Sequence, residues 1–206
     1  MSLPTLIIFE GLENTNKNIQ IQKLKDSILF YNKDSVFKEY EWVEPLGNSD
    51  EENILDYENL IKVKYENFKN ESNSNTIHIW NKSYLREYVY GQIDRNTNPQ
   101  NWLFKKEQEI LQDFQYSNKL NNIFLIHLDM LAEHSIYVDE GFSYSVDPTE
   151  KNNERFLFFD TIHSSILPNK FTINVSANKK SYIDSNLIHN SIFTFLKYKN
   201  APFNFK

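Results

Sequence analysis

The stretch "LIIFEGLENTNKNIQIQKL", Leu6–Leu24, decides how the rest of the chain is read. It opens with an apolar run, turns polar at Gly11, and continues with Ile19, Ile21, Leu24, Ile28 and Leu29 at helical spacing. Strand, turn and helix in that order is the setting of a phosphate-binding loop, G-x-x-x-x-G-K-[ST]. Gly11 and Lys17 stand at the first and seventh positions of that pattern. Asn16 replaces the second glycine and Asn18 replaces the hydroxyl residue. Backbone N–H groups and a helix N-terminus attract phosphate whatever the side chains are. Asn16 is a mild replacement, because asparagine tolerates the left-handed backbone better than most residues. Asn18 is costlier: the serine or threonine hydroxyl ligates Mg²⁺, and an amide carries its oxygen one atom further out. An asparagine-rich strand-to-helix turn with no ligand would read the same, so this segment alone leaves both readings open.

Outward from this stretch, strand-like and helix-like segments alternate. "SVFKEYEWVEP" (Ser35–Pro45), "NTIHIW" (Asn75–Trp80), "NIFLIHL" (Asn122–Leu128) and "FTINVSA" (Phe171–Ala177) read as further strands. Helices are expected over about Glu51–Asn70, Tyr84–Tyr90, Pro99–Leu120, Glu150–Ile166 and Lys180–Leu196. Five strands with interleaved helices predict an α/β fold, a parallel sheet covered on both faces. The runs beginning at Thr5, Asn75, Asn122 and Phe171 are expected to be neighbouring, buried strands. No repeat or glycine-, serine- or proline-rich linker divides residues 1–206, so one domain is expected.

Composition narrows the function classes. With 40% hydrophobic and 15% aromatic residues, the chain has the apolar content for a real core. A net charge of −6 and a pI near 5.4 give no general attraction to nucleic acid or an anionic membrane. The absence of cysteine removes disulfides, thiolate metal sites and cysteine nucleophiles. No apolar run approaches the ~20 residues that span a bilayer, and no basic segment precedes an apolar core at the N-terminus, so a cytoplasmic protein is expected. The five histidines (His78, His127, His134, His163, His189) lack metal-ligand spacing and read as scattered structural residues, so no metal site is assigned. Ser83 and Ser164 lack a nucleophile-elbow context. Trp42, Trp80 and Trp102 read as core or pocket-wall residues rather than as platforms for stacked bases.

Taken together, "IIFEGLENTNKN", "YEWVEP", "IHIWNKSYLREYVYGQIDR" and "FTINVSANKKSYIDSNLI" resemble, in order, the motifs of the thymidylate kinase and deoxynucleoside kinase family, particularly its phage forms. The resemblance implies a phosphate-loop nucleotide-kinase fold, three layers around five parallel strands. It implies phosphate binding by Gly11, Asn16, Lys17 and Asn18, and nucleotide binding by Glu87, Tyr90 and Arg95, with Gly91 at a matching position. It places Glu44 where the family's carboxylate activates the sugar hydroxyl that attacks the γ-phosphate, with Lys17 and Lys82 as the other catalytic groups. Tyr88 and Tyr90 read equally well as core aromatics.

The same comparison exposes departures. The family's Asp-Arg pair becomes Asn81-Lys82, which loses a charge from the metal shell and a planar, bidentate fork from the phosphate site. The lid-like segment, about residues 136–150, contains no cation in "IYVDEGFSYSVD" (Ile136–Asp147) and offers Asp139, Glu140 and Asp147, which would repel a triphosphate. An arginine in such a place is worth ~10³–10⁵ in rate in related phosphoryl-transfer enzymes. Arg86, Arg95 and Arg155 are the candidate substitutes. The expectation is therefore a degenerate relative with impaired or lost phosphoryl transfer, acting through a nucleoside or nucleotide ligand, a protein partner or a homodimer. An active kinase using ATP and Mg²⁺ and a purely structural subunit are the alternatives. No cofactor is assigned outright.

Overall fold

Strand β1 (Thr5–Glu10) is buried at every position and is hydrogen-bonded on both sides, to β3 (Thr76–Asn81) and β4 (Ile123–Asp129). Both pairings are parallel, with Ile7 opposite Ile79 on one side and Phe124 on the other. Such a strand needs apolar residues facing both ways, which is why it reads as a continuous run rather than an alternating one. β2 (Val36–Glu41) and β5 (Asn169–Asn174) complete a five-stranded parallel sheet of order β2-β3-β1-β4-β5. The computed structural model describes residues 3–42, 50–94, 100–114, 119–139, 145–199 and 201–203.

The helices are α1 (Lys17–Tyr31), α2 (Asp50–Lys69), α3 (Arg86–Asp94), α4 (Gln100–Gln112), α5 (Ala132–Tyr137), α6 (Pro148–Ser164) and α7 (Ser185–Tyr198). α1 packs against α7, α2 against α4, and α6 against both α3 and α5. α1 buries Ile21, Leu24 and Ile28, whereas Ile19 and Leu29 of the same apparent stripe are exposed. α6 starts where Asp147 accepts the N–H groups of Thr149 (2.8 Å) and Glu150 (3.1 Å), with Pro148 at the first helical position. α7 starts the same way on Asp184. Among the described residues, no helix is long and apolar enough to cross a membrane.

The four expected strands are neighbours in parallel, but β5 is only half-buried, because as an edge strand it is covered less completely than β1, β3 and β4. The run expected as one strand to Ala177 also breaks. After Asn174 the chain forms a small antiparallel ribbon, β6 (Ser176–Asn178) with β7 (Ser181–Tyr182), and α7 begins at Ser185 rather than Lys180. Asn174 drives the break: its side chain accepts the N–H of Ser176 (2.9 Å) and donates to the Ser176 carbonyl (3.1 Å), an Asx turn that ends the ladder.

At the α3–α6 contact, Lys151 and Glu154 are fully buried and paired at 2.6 Å, and Tyr90 donates its hydroxyl to Glu154 (2.6 Å). Removing one partner strands a buried charge. Lys151→Met is expected to cost ~3–5 kcal/mol of stability in urea denaturation. The double variant Lys151→Met/Glu154→Gln should recover part of that loss.

His78 of β3 and His127 of β4 are also buried, the first beside Tyr40 and the second stacked on Phe158. Burial holds both imidazoles down at about 4, while the unfolded chain takes up these protons near ~6.5. Between those values the unfolded state binds more protons, so stability is complete above ~6.5 and is lost as pH falls toward 4. Denaturant midpoints should drop between pH 7 and pH 5, by as much as ~2 kcal/mol per histidine. His127→Gln should make that drop smaller.

Candidate functional site

The site lies at the C-terminal end of the sheet, where the loop after β1 passes the ends of β3 and β4, the place where ligands gather in open parallel sheets. Gly11 turns the chain with φ 138°, and a Cβ there would stand 2.2 Å from the Leu128 carbonyl oxygen. Only glycine fits that approach. Asn14 and Asn16 both adopt the left-handed backbone, at φ 61° and 60°. Asn16 thus takes the conformation that lets it stand in for the motif's second glycine, and α1 starts directly after it.

Lys17 points back into its own loop. Its ammonium donates to the carbonyls of Gly11 (3.1 Å) and Leu12 (2.7 Å) and to Thr15 Oγ1 (3.1 Å), which uses all three donors. Burial lowers its pKa to about 8 against the opposing pull of Glu13. Asn14 ties the loop outward: its carbonyl accepts the Tyr182 hydroxyl (2.7 Å), and its side chain reaches the Val138 carbonyl (3.4 Å). The β6–β7 ribbon and the end of α5 therefore hold the loop in place.

Glu10, the last residue of β1, is wholly buried and accepts the Ser83 hydroxyl at 2.6 Å. Burial raises its pKa, with Arg86, Ser83 and Lys17 opposing. Glu13 is held by Arg86 (2.6 Å) and Lys82 (3.2 Å), both on the same carboxylate oxygen. Burial works to raise the Glu13 pKa, but the charges of Arg86, Lys17 and Lys82 hold it down at about 2. Lys82 itself has a left-handed backbone, φ 73°, fixed by its N–H donating to the Phe9 carbonyl (3.0 Å). A cleft of about 260 Å³ opens over this group, lined by the loop from Glu13 to Ile19 together with Glu41, Asn81 and Lys82.

The two asparagines expected to disturb metal binding are neighbours. Asn81 Nδ2 donates to Asn18 Oδ1 at 2.7 Å. This donor set is a poor match for Mg²⁺: both oxygens belong to neutral amides, and that of Asn18 already accepts a hydrogen bond. Arg155 is not placed as a free cation. It closes on Asp129 with two bonds of 2.6 and 2.7 Å. Asp147, expected to repel phosphate from the lid, is instead occupied as the cap of α6, and Ile136 and Tyr137 belong to α5.

Gly11, Asn16, Lys17, Asn18 and Lys82 thus come together. Tyr90 and Glu87 are buried on α3, and Tyr90 lies under the Arg86 guanidinium at 4.7 Å from its ring centroid. Glu44 and Arg95 lie outside the described residues. Sequence reasoning missed Glu10, Glu13 and Tyr182 at this site, whereas Arg86 was among its candidate cations and lies beside Glu13. An acid inside a phosphate loop was the one signal for Glu13, since it must find a cation to be tolerated there.

Neither a protein-family model nor a curated protein sequence matches the chain. Solved structures do. The YorR protein of Bacillus subtilis, solved with phosphorylated GDP, aligns over 95% of this chain and 97% of its own, with a TM-score of 0.60 and 13% identity. Thymidylate kinase from Ehrlichia chaffeensis aligns over 94% and 99%, with a TM-score of 0.54 and 14% identity. Thymidylate kinase from Candida albicans aligns over 98% and 94%, with a TM-score of 0.57 and 12% identity. At such identities the likeness is one of architecture, and the chain has the fold of the thymidylate kinases and related phosphate-loop kinases.

Proposed function

We propose that this protein is a degenerate relative of the deoxynucleoside and thymidylate kinases that binds the phosphate of a nucleotide and has lost most phosphoryl transfer. The observation that carries this reading is the Asn81–Asn18 amide pair, 2.7 Å apart, where a metal-dependent kinase needs a hydroxyl and a carboxylate. Each substitution taken singly is tolerable. Together they neutralise the positions that would organise a divalent cation, while the turn at Gly11 and the charge of Lys17 still favour an anion. The role is then nucleotide binding, or interaction with a protein partner or a second copy in response to it.

One observation favours the second reading, an active deoxynucleoside or deoxynucleotide kinase using ATP. Arg86 stands beside Glu13 and Lys82 and supplies a guanidinium that the lid-like segment lacks. An arginine at the transferred group is what such chemistry requires.

A calorimetric panel of nucleosides, nucleoside monophosphates and ATP, with and without Mg²⁺, separates these readings. Monophosphate should bind with an affinity that Mg²⁺ does not change, and Mg²⁺–ATP should bind weakly. A low-micromolar Mg²⁺–ATP complex lost in Lys17→Ala would favour the active kinase. Asn16→Gly with Asn18→Ser should improve triphosphate binding without restoring turnover, because losing a single preorganised donor already costs ~10²–10³ in rate. Steady-state turnover of the unaltered chain at ~1–100 s⁻¹ would overturn the degenerate reading.

A further inference from the structure

We propose that Glu13 is an internal counter-anion of the phosphate loop: a dianionic phosphate group binds by displacing its carboxylate from Arg86 and Lys82, and Arg86 is the anchor that the phosphate then takes. This rests on the reading of the loop as a phosphate site and adds how that site is filled.

Lys17 has spent its three donors on its own loop, so among the described residues around the loop Lys82 and Arg86 are the charges left to receive a ligand. Both are held by one atom, Glu13 Oε1, at 3.2 and 2.6 Å. A carboxylate oxygen held between an ammonium and a guanidinium has the surroundings of a phosphoryl oxygen in a phosphate site. Glu13 stays ionised throughout the neutral range, its pKa being about 2, so a ligand must exchange with it rather than wait for its protonation.

The two sides of this contact are not equally free to move. The Glu13 side chain is 22% exposed on the cleft wall, whereas that of Arg86 is 8% exposed. The guanidinium packs over the Tyr90 ring at 4.7 Å and faces Phe158 at 6.0 Å. Tyr90 is in turn held by Glu154, and Glu154 by Lys151, inside the α3–α6 contact. The carboxylate can swing out while the guanidinium stays. Arg86 also carries a buried nitrogen, Nη1, with no hydrogen-bond partner among the described residues. An orphaned guanidinium donor is costly and points to an absent acceptor. A phosphate can take Nη1 and Nη2 together, a geometry Glu13 does not achieve here.

The test is titration calorimetry of the full chain with inorganic phosphate and, in parallel, a deoxynucleoside monophosphate. Glu13→Gln keeps the side chain's size and removes the competing charge, and should bind inorganic phosphate about ten-fold more tightly or better. Glu13→Asp keeps the charge but shortens the reach to Arg86, and should show a smaller gain. Glu41→Gln removes a carboxylate lining the same cleft without touching Arg86, and should change affinity less than two-fold. Equal gains in Glu13→Gln and Glu41→Gln would reduce the effect to net charge and overturn the proposal. So would unchanged or weaker phosphate binding in Glu13→Gln. If Glu13→Gln shows no gain while monophosphate binding to the unaltered chain is abolished by Lys17→Ala, the displacement fails and the phosphate-site reading stands. If neither chain binds either probe, both fall. A gain for inorganic phosphate as large as for the monophosphate places the exchange on the phosphate group itself. A gain confined to the monophosphate would instead assign Glu13 to the nucleoside and overturn the displacement.

Discussion

The site depends on one close approach, the backbone of Gly11 passing beneath the carbonyl of Leu128 where β1 leaves the sheet. β1 is the central strand, paired on both sides, so the loop after it can only rise between the ends of β3 and β4. A side chain at that turn would have to displace backbone, not a flexible tip, and the loop's path would change. With that path set, Lys17 begins α1 and folds back over the loop. The end of β3 then brings Asn81 against Asn18 and Lys82 against Glu13. The left-handed Asn14 and Asn16 complete the turn at a modest conformational cost for asparagine.

Charge is handled economically around this loop. Lys17 and Arg86 are buried cations, and Glu10 and Glu13 sit close enough to offset them. Buried charges persist only when paired or hydrogen-bonded, and the two glutamates supply negative charge beside these cations. At this loop the carboxylate of Glu13, a residue of the loop itself, is the partner of both Arg86 and Lys82. The Lys151–Glu154–Tyr90 chain is the same principle at work one layer further from the cleft, and it sets the platform on which Arg86 lies.

The two asparagines that differ from the motif residues acquire a physical pattern once they are located. Asn18 and Asn81 are distant in sequence but bonded to each other, so they change one local property, the charge and ligand set available to a cation. Arg155 belongs to a different pairing, with Asp129 at the end of β4. Among the described residues, Arg86 is the arginine that reaches the loop, through Glu13. Arg86, on α3, thus meets the loop through the Glu13 carboxylate.

The sequence by itself determined the central strands, the loop and most helices. Continuous apolar runs such as Leu6–Phe9 and Ile123–Ile126 fit strands covered on both faces, and the motif residues Gly11 and Lys17 mark the turn between strand and helix. It also marked Asn16 as a residue that tolerates the left-handed backbone, a local property, and the structure places it there. Burial of β5 and the length of its strand were not determined in this way: they depend on which strand ends up at an edge and on the Asx turn at Asn174. Only the tertiary structure decided which ions meet. Glu13 and Arg86 are 73 positions apart, and nothing in either segment's local pattern distinguishes Arg86 from Arg155 as the residue that reaches the loop. Electrostatic partnership falls off with distance in space and ignores distance along the chain, so it becomes legible only when the sheet has brought the ends of β1, β3 and β4 together.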